Sequence, residues 1–400
     1  MKKVVSPGLV LFMMLMSMTA GAMCLNKVAP IIPLLIESMG LTGAAQAGLL
    51  ISVFVISGIF LAIPSGVIIE KLGYYKTGII ALSAILLGSV IGAFNPGYAI
   101  MLVSRIIEGI GLIFLMTLGP AAVSCVFPDE KRGSAMGLLM CFMAFGQIAM
   151  LNLAPRIAAA TNWENVWWFT AAYAVVFLVI WAIALKNLDT ALGYKKPVAS
   201  TKQVDEKSKT SLFPKEVFLN KGVWLVGLTL MVFLIAEQGV ISFLPTYLTE
   251  VRGVDAAAAG SMISIAPLVG IPVGIIAGII SDKIGSRKKP LGILMIASAI
   301  TYAFMPTFPT AFFLVLIILF GVAVMGIVGL CFSAVAELVT PQQGNMAVAL
   351  LNTFQWVGIF LSSSLVGLFI EGFGWDIMFY IMVPLTLVGA VFTFITPKLR

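Results

Sequence analysis

Four ionisable residues, Lys27, Arg105, Glu108 and Glu237, stand inside long apolar runs of the 400-residue chain. Such a group costs about 3 kcal/mol or more unless it is paired or solvated, so each is a candidate for binding or proton transfer. Arg105 and Glu108 are three positions apart, which places both on one helix face and lets them pair. That pair either welds its helix to its neighbours or offers Arg105 to an anion that Glu108 tunes. Lys27 has no acidic partner within a turn, so Glu237 or an anionic ligand has to satisfy it. Asn26 and Gln238 stand beside Lys27 and Glu237 and add amide groups. Lys27, Arg105, Asn26 and Gln238 are therefore the substrate-binding candidates. The chain has no histidine, so a proton-coupled step has to use a carboxylate, Glu237 first and Glu108 second.

Other chemistries find little support. Cys24, Cys125, Cys141 and Cys331 lie far apart without metal-ligand spacing and read as small hydrophobes in helix packing. The sequence offers no phosphate loop, metal cluster or catalytic constellation. No cofactor, no metal and no enzymatic activity are expected.

The elements that position these charges follow from composition. Hydrophobic residues make up 60% of the chain, charged residues only 10%, and the mean hydropathy is +1.10. Soluble domains carry about 25% charged residues, so lipid has to be the solvent for much of this chain. A bilayer core asks for about 20 apolar residues per helix. Runs of that kind cover 8–36, 46–69, 77–95, 98–125, 133–158, 166–186, 223–248, 257–281, 290–307, 311–336, 345–370 and 375–396. They do not alternate as barrel strands would. The expected fold is an all-α polytopic membrane protein with twelve transmembrane helices. At about 1.5 Å per residue, Lys27, Arg105, Glu108 and Glu237 all lie roughly 9 to 16 Å inside their helices, in one layer.

Basic residues fix an orientation. Lys2, Lys3, Lys71, Lys76, Lys131, Arg132, Lys283 to Lys289, Lys398 and Arg400 all fall on one side of that layout. The opposite loops hold Arg156 and Arg252 among acids such as Glu37, Glu164, Glu250, Glu371 and Asp376. Both termini are expected in the cytoplasm. The net charge of +7 is explained by this location rather than by nucleic-acid binding.

The chain also repeats. Shifted by 212 residues, Gly48 falls on Gly260, Gly66 on Gly278, Gly73 on Gly285, Gly109 on Gly321 and Gly146 on Gly358. An offset spanning six helices makes the halves parallel repeats about an axis along the membrane normal. Residues 1–186 and 223–400 are then two six-helix bundles, and 187–222 is a polar linker. Their seam is the natural place for a solute path.

The stretch GVIIEKLGYYK (66–76) has its copy in GIISDKIGSRK (278–288). Both resemble the signature G-x-x-x-[DN]-[RK]-x-G-[RK]-[RK] of the major facilitator superfamily, found after helices 2 and 8 of that family. Arg105-Ile-Ile-Glu-Gly109-Ile-Gly111 is similar to its helix-4 pattern. Tyr74 and Tyr75 depart from the signature, and helix 5 has Gln147 where drug/proton antiporters of the family carry a proline. The resemblance implies that helices 1, 4, 7 and 10 line a central cavity. It makes Gly66, Glu70, Lys71, Gly73, Gly278, Asp282, Lys283, Gly285 and Arg287 a gating set. Glu70 would meet the start of helix 11 and Asp282 the start of helix 5, where a carboxylate favours a helix N-terminus. Gln147, Asn152, Arg156, Asn352 and Gln355 either line the cavity or make packing hydrogen bonds. Glu337 reads as solvated.

The expected function is secondary transport of a small organic or inorganic anion, possible as proton symport, with an organic-anion or cyanate-type branch as the nearest likeness. The rival readings are a proton-driven multidrug exporter and a non-transporting sensor or scaffold. The protein is expected as a monomer in the plasma or inner membrane.

Overall fold

The computed structural model describes residues 5–95, 97–192, 215–340 and 343–397. These are helical, with no strand among the described residues. In the first half the helices are α1 (Pro7–Asn26), α2 (Ile32–Met39), α3 (Ala44–Ser52), α4 (Ile56–Leu72) and α5 (Tyr74–Ala93). They continue with α6 (Tyr98–Val126), α7 (Asp129–Met140), α8 (Phe142–Ala160), α9 (Glu164–Ala184) and α10 (Leu188–Ala191). The second half holds α11 (Lys215–Leu219), α12 (Lys221–Glu250), α13 (Ala256–Ile263), α14 (Ile265–Ile284) and α15 (Lys288–Phe304). It ends with α16 (Phe313–Glu337), α17 (Gly344–Phe373), α18 (Ile377–Tyr380) and α19 (Met382–Ile395). Residues 193–214 of the expected linker, and the charges at Lys2, Lys3, Lys398 and Arg400, lie outside the described residues.

Among the described residues, eleven helical stretches are long and apolar enough to cross a membrane. The ninth expected run, 290–307, folds as the 17-residue α15, short of the roughly 20 residues a span needs. Local chemistry explains the breaks. Pro30 and Pro33 lack the N–H groups a continuous helix needs, and a 3-10 turn at Ala29–Ile31 separates α1 from α2. Pro245 bends nothing into a break, since it sits inside the unbroken α12. The two signature helices end on glycines at positive φ, Gly73 at 85° and Gly285 at 65°, a region open to glycine at no steric cost.

Equivalent helices pack in both halves. α1 lies on α6 and α8 as α12 lies on α16 and α17. α5 lies on α6 and α9 as α15 lies on α16 and α19. Glycine spacing shows why the repeat is legible. A Cβ on Gly109 would strike the Phe54 carbonyl, and one on Gly321 would strike the Ala266 carbonyl. The 212-residue offset carries the first contact onto the second.

Candidate functional site

Three charged residues of the first half converge in its interior. Lys27 caps the C-terminus of α1, where the helix breaks, and its side chain turns inward. Its Nζ lies 2.6 Å from Glu108 Oε1 and donates to Thr170 Oγ1 at 3.0 Å and Ser89 Oγ at 3.5 Å. Arg105 Nη1 lies 2.5 Å from Glu108 Oε2 and donates to the Cys24 carbonyl at 2.7 Å. Its Nε donates to the Leu50 carbonyl at 3.0 Å. Ser89 adds a third donor to Glu108, at 2.7 Å. The Trp167 ring covers the ammonium and the Phe54 ring the guanidinium, at 4.5 and 4.6 Å from their centroids.

All three charged side chains are 0% exposed. Two cations share one carboxylate, so the cluster carries one net positive charge when all three groups are ionised. Arg105 Nη2 is buried without a hydrogen-bond partner. A buried donor left so is a place where an oxygen-bearing ligand or water is favoured.

Lys27 is therefore satisfied by Glu108, and neither Glu237 nor a ligand is needed for it. The sequence alone could not show this, because the partner arrives from α6, 81 positions away. Ser89, Thr170, Trp167 and Phe54 were also missed. The only signal they offered is a hydroxyl or a ring in an apolar run, which most membrane helices have.

Glu237 does not join the cluster. It lies in α12, 7% exposed, and makes no hydrogen bond or ion pair among the described residues. Asn26 and Gln238 are half-buried, and the Asn26 amide donates back to the Ala22 carbonyl at 2.8 Å. Asn152 and Arg156 bond across to Ser264 and Ser261 at the end of α13. Gln147, Asn352 and Gln355 are half-buried.

At the signature loops the two copies differ. Asp282 is 65% exposed and pairs with Arg287 at 2.5 Å; Arg287 also binds Glu337 at 2.9 Å. Glu337, expected to be solvated, is thus part of an ion-pair network. Burial works against the Arg287 charge, but the bonds to Glu337 and Asp282 outweigh it and hold the guanidinium above its ordinary range. The offset puts Tyr75 at the position of Arg287 and Cys125 at that of Glu337. There the first copy uses Asp189, whose Oδ1 accepts from the backbone N–H of Tyr74 at 2.6 Å and of Tyr75 at 3.0 Å. A carboxylate capping the start of α5 complements the helix dipole. Tyr75 donates to the Ala182 carbonyl, and Trp181 donates to that of Tyr75. The tyrosines tie α5 to the end of α9. Lys71, Lys283 and Glu70 are exposed at the same loops.

Three glycines near this end face open space. A Cβ on Gly66, Gly278 or Gly344 would meet nothing within 4 Å. At the opposite end, Gly48 abuts the Ser363 carbonyl and Gly260 the Leu151 carbonyl. The seam between the halves is closed there.

Long apolar helices around a sealed charge cluster define a multi-pass membrane protein. The Major Facilitator Superfamily profile matches residues 8–336 and 275–399, and the chain belongs to that family. The uncharacterized MFS-type transporter YcnB of Bacillus subtilis (strain 168) is 31% identical over 37% of this chain and 31% of its own. The glycerol-3-phosphate transporter of that organism is 23% identical, over 68% of this chain and 64% of its own. Its probable galactarate/D-glucarate transporter GudP is 25% identical, over 84% and 80%. The matches span less than two thirds of the length of the first two relatives.

Proposed function

We propose that the protein is a secondary transporter that carries a small anionic solute across a cell membrane by alternating access, in symport with a proton. The observation that carries this reading is the Lys27–Glu108–Arg105 cluster, a buried site with two cations for one carboxylate. In low dielectric its net charge acts strongly over short range, and Asn26 stands one residue from Lys27 on a partly exposed face. A solute meeting Asn26 and Gln238 would feel an attractive potential from the first half. Proton transfer to Glu108 would remove the internal counter-charge and leave two cations for the incoming anion. Glu237, buried and unpaired in the second half, is the other carboxylate able to carry a proton. The names of two relatives, for glycerol 3-phosphate and for galactarate or glucarate, agree with an anionic cargo.

In this reading the two halves are pseudo-symmetric six-helix bundles, α15 completes a set of twelve spans, and the linker joins them. The signature loops and both termini face the cytoplasm, and the solute path opens on that side. The protein works as a monomer and performs no enzymatic step.

Uptake of labelled glycerol 3-phosphate, D-glucarate and nitrate into proteoliposomes, with and without an inward proton gradient, tests the reading. At least one anion should accumulate faster with the gradient, and Lys27→Ala and Arg105→Ala should each abolish that uptake. Wild-type transport of a neutral solute by both variants would overturn the anion assignment.

A further inference from the structure

The closed end of the seam is built twice. Ser364 Oγ donates to Ser52 Oγ at 3.1 Å, joining α17 to α3. Asn152 Nδ2 donates to Ser264 Oγ at 2.6 Å, at the meeting of α8 with the end of α13. The 212-residue offset carries Ser52 onto Ser264 and Asn152 onto Ser364, so these are one contact with the halves exchanged. The glycine contacts obey the same rule, since Gly48 maps onto Gly260 and Leu151 onto Ser363. Pro155 sharpens the second of them: it has no N–H for the Leu151 carbonyl, and Gly260 packs there.

Beyond this shared core, each side adds a charge that its mate lacks. On one side Glu371, near the end of α17, accepts from the Ala45 N–H at 2.8 Å and so caps the start of α3. The side chain also occupies the space beside Gly43, which has none of its own to cap the helix with. On the other side Arg156 donates to Ser261 Oγ at 3.2 Å and to the Asn152 carbonyl at 2.5 Å. Ser261 in turn donates to Asn152 Oδ1 at 2.9 Å. The offset places Ala159 opposite Glu371 and Leu368 opposite Arg156. Neither charge is a product of the repeat.

α4 and α17 run antiparallel, and each helix ends in a carboxylate, Glu70 and Glu371. Glu371 meets the start of α3 at the end of this helix pair opposite the signature loops. We propose that Glu371 and Arg156 are gating residues of a two-point latch that holds the solute path shut at the end opposite the signature loops. This proposal rests on the alternating-access reading. Each charge-assisted bond favours the closed seam, and both must break before that end can open.

The test is accessibility, which needs no knowledge of the cargo. Ser52→Cys is placed in a chain whose exposed Cys125 and half-buried Cys141 are replaced by serine. A membrane-impermeant maleimide is applied from the side opposite the signature loops. Glu371→Ala and Arg156→Ala should each raise labelling at position 52 by roughly tenfold, the worth of one charge-assisted hydrogen bond. Glu371→Gln keeps an acceptor for Ala45 and should raise it less. The buried Cys24 and Cys331 should stay unlabelled throughout, which separates opening from unfolding. Unchanged labelling at position 52 in both alanine variants overturns the proposal, as does labelling of Cys331 in step with position 52. Opening of the seam without uptake of any tested anion would count against the substrate reading alone and leave the latch standing.

Discussion

Glu108 is the residue on which the first half depends electrostatically. Its two oxygens face Lys27 and Arg105, and all three side chains are 0% exposed. Removing one partner of a buried ion pair leaves an uncompensated charge, which costs about 3 to 5 kcal/mol. The direction of that cost depends on which partner goes. Glu108→Gln strands two cations in the interior, whereas Lys27→Met leaves Arg105 and Glu108 as a neutral pair with similar volume. Thermal unfolding in detergent should therefore show a much larger loss for Glu108→Gln than for Lys27→Met, although both variants should lose anion uptake. Equal losses would mean that Lys27 does not contribute a full charge to the cluster. The charges themselves were legible in the sequence because ionisable residues in apolar runs are rare. The pairing was legible only for Arg105 and Glu108, which share a helix. Lys27 could not be assigned, since its partner is set by how α1 crosses α6, and a one-dimensional pattern holds no record of that crossing.

At the scale of elements, the hydrophobic runs located the helices, and the glycines recorded where helices touch. The runs did not reveal the 3-10 break beside Lys27, nor that α15 stops at 17 residues, because both depend on turn geometry rather than on apolar content. Nor did they show that Asp189 caps α5 at the two tyrosines that stand in place of the first copy's basic pair, a contact that spans 115 positions. Two kinds of glycine now separate. Gly109 sits against the Phe54 carbonyl, so Gly109→Ala should overpack that crossing and cost about 1 to 3 kcal/mol. Gly66 faces open space in the present arrangement, so Gly66→Ala should leave thermal stability unchanged. If the signature end closes during transport, the same methyl group will then obstruct it, and uptake should fall. Wild-type uptake by Gly66→Ala would show that α4 never makes a close approach at that position.

The whole molecule combines a repeat with departures from it. The repeat supplies a seam whose two sides are the same contact, and under the proposed alternating access both sides part together. The departures supply the chemistry, with the charge cluster in one half only and unlike charges at the two latch points. Because the Oγ atoms of Ser52 and Ser364 are 3.1 Å apart across the seam, cysteines at both positions bring their sulfurs near disulfide range. Oxidised Ser52→Cys/Ser364→Cys protein should lose uptake, since the closed end can no longer open, and a reducing agent should restore it. Each single variant, treated with the same oxidant, should keep its uptake. Asn152→Cys/Ser264→Cys joins the equivalent points on the other side and should behave in the same way, although the cross-linked residues share no sequence position with the first pair. If one cross-link stopped transport and the other did not, the halves would be hinged on one side rather than rocking about the axis. Full uptake with both cross-links formed would show that solute passes without this end ever parting, and alternating access would fail for this protein.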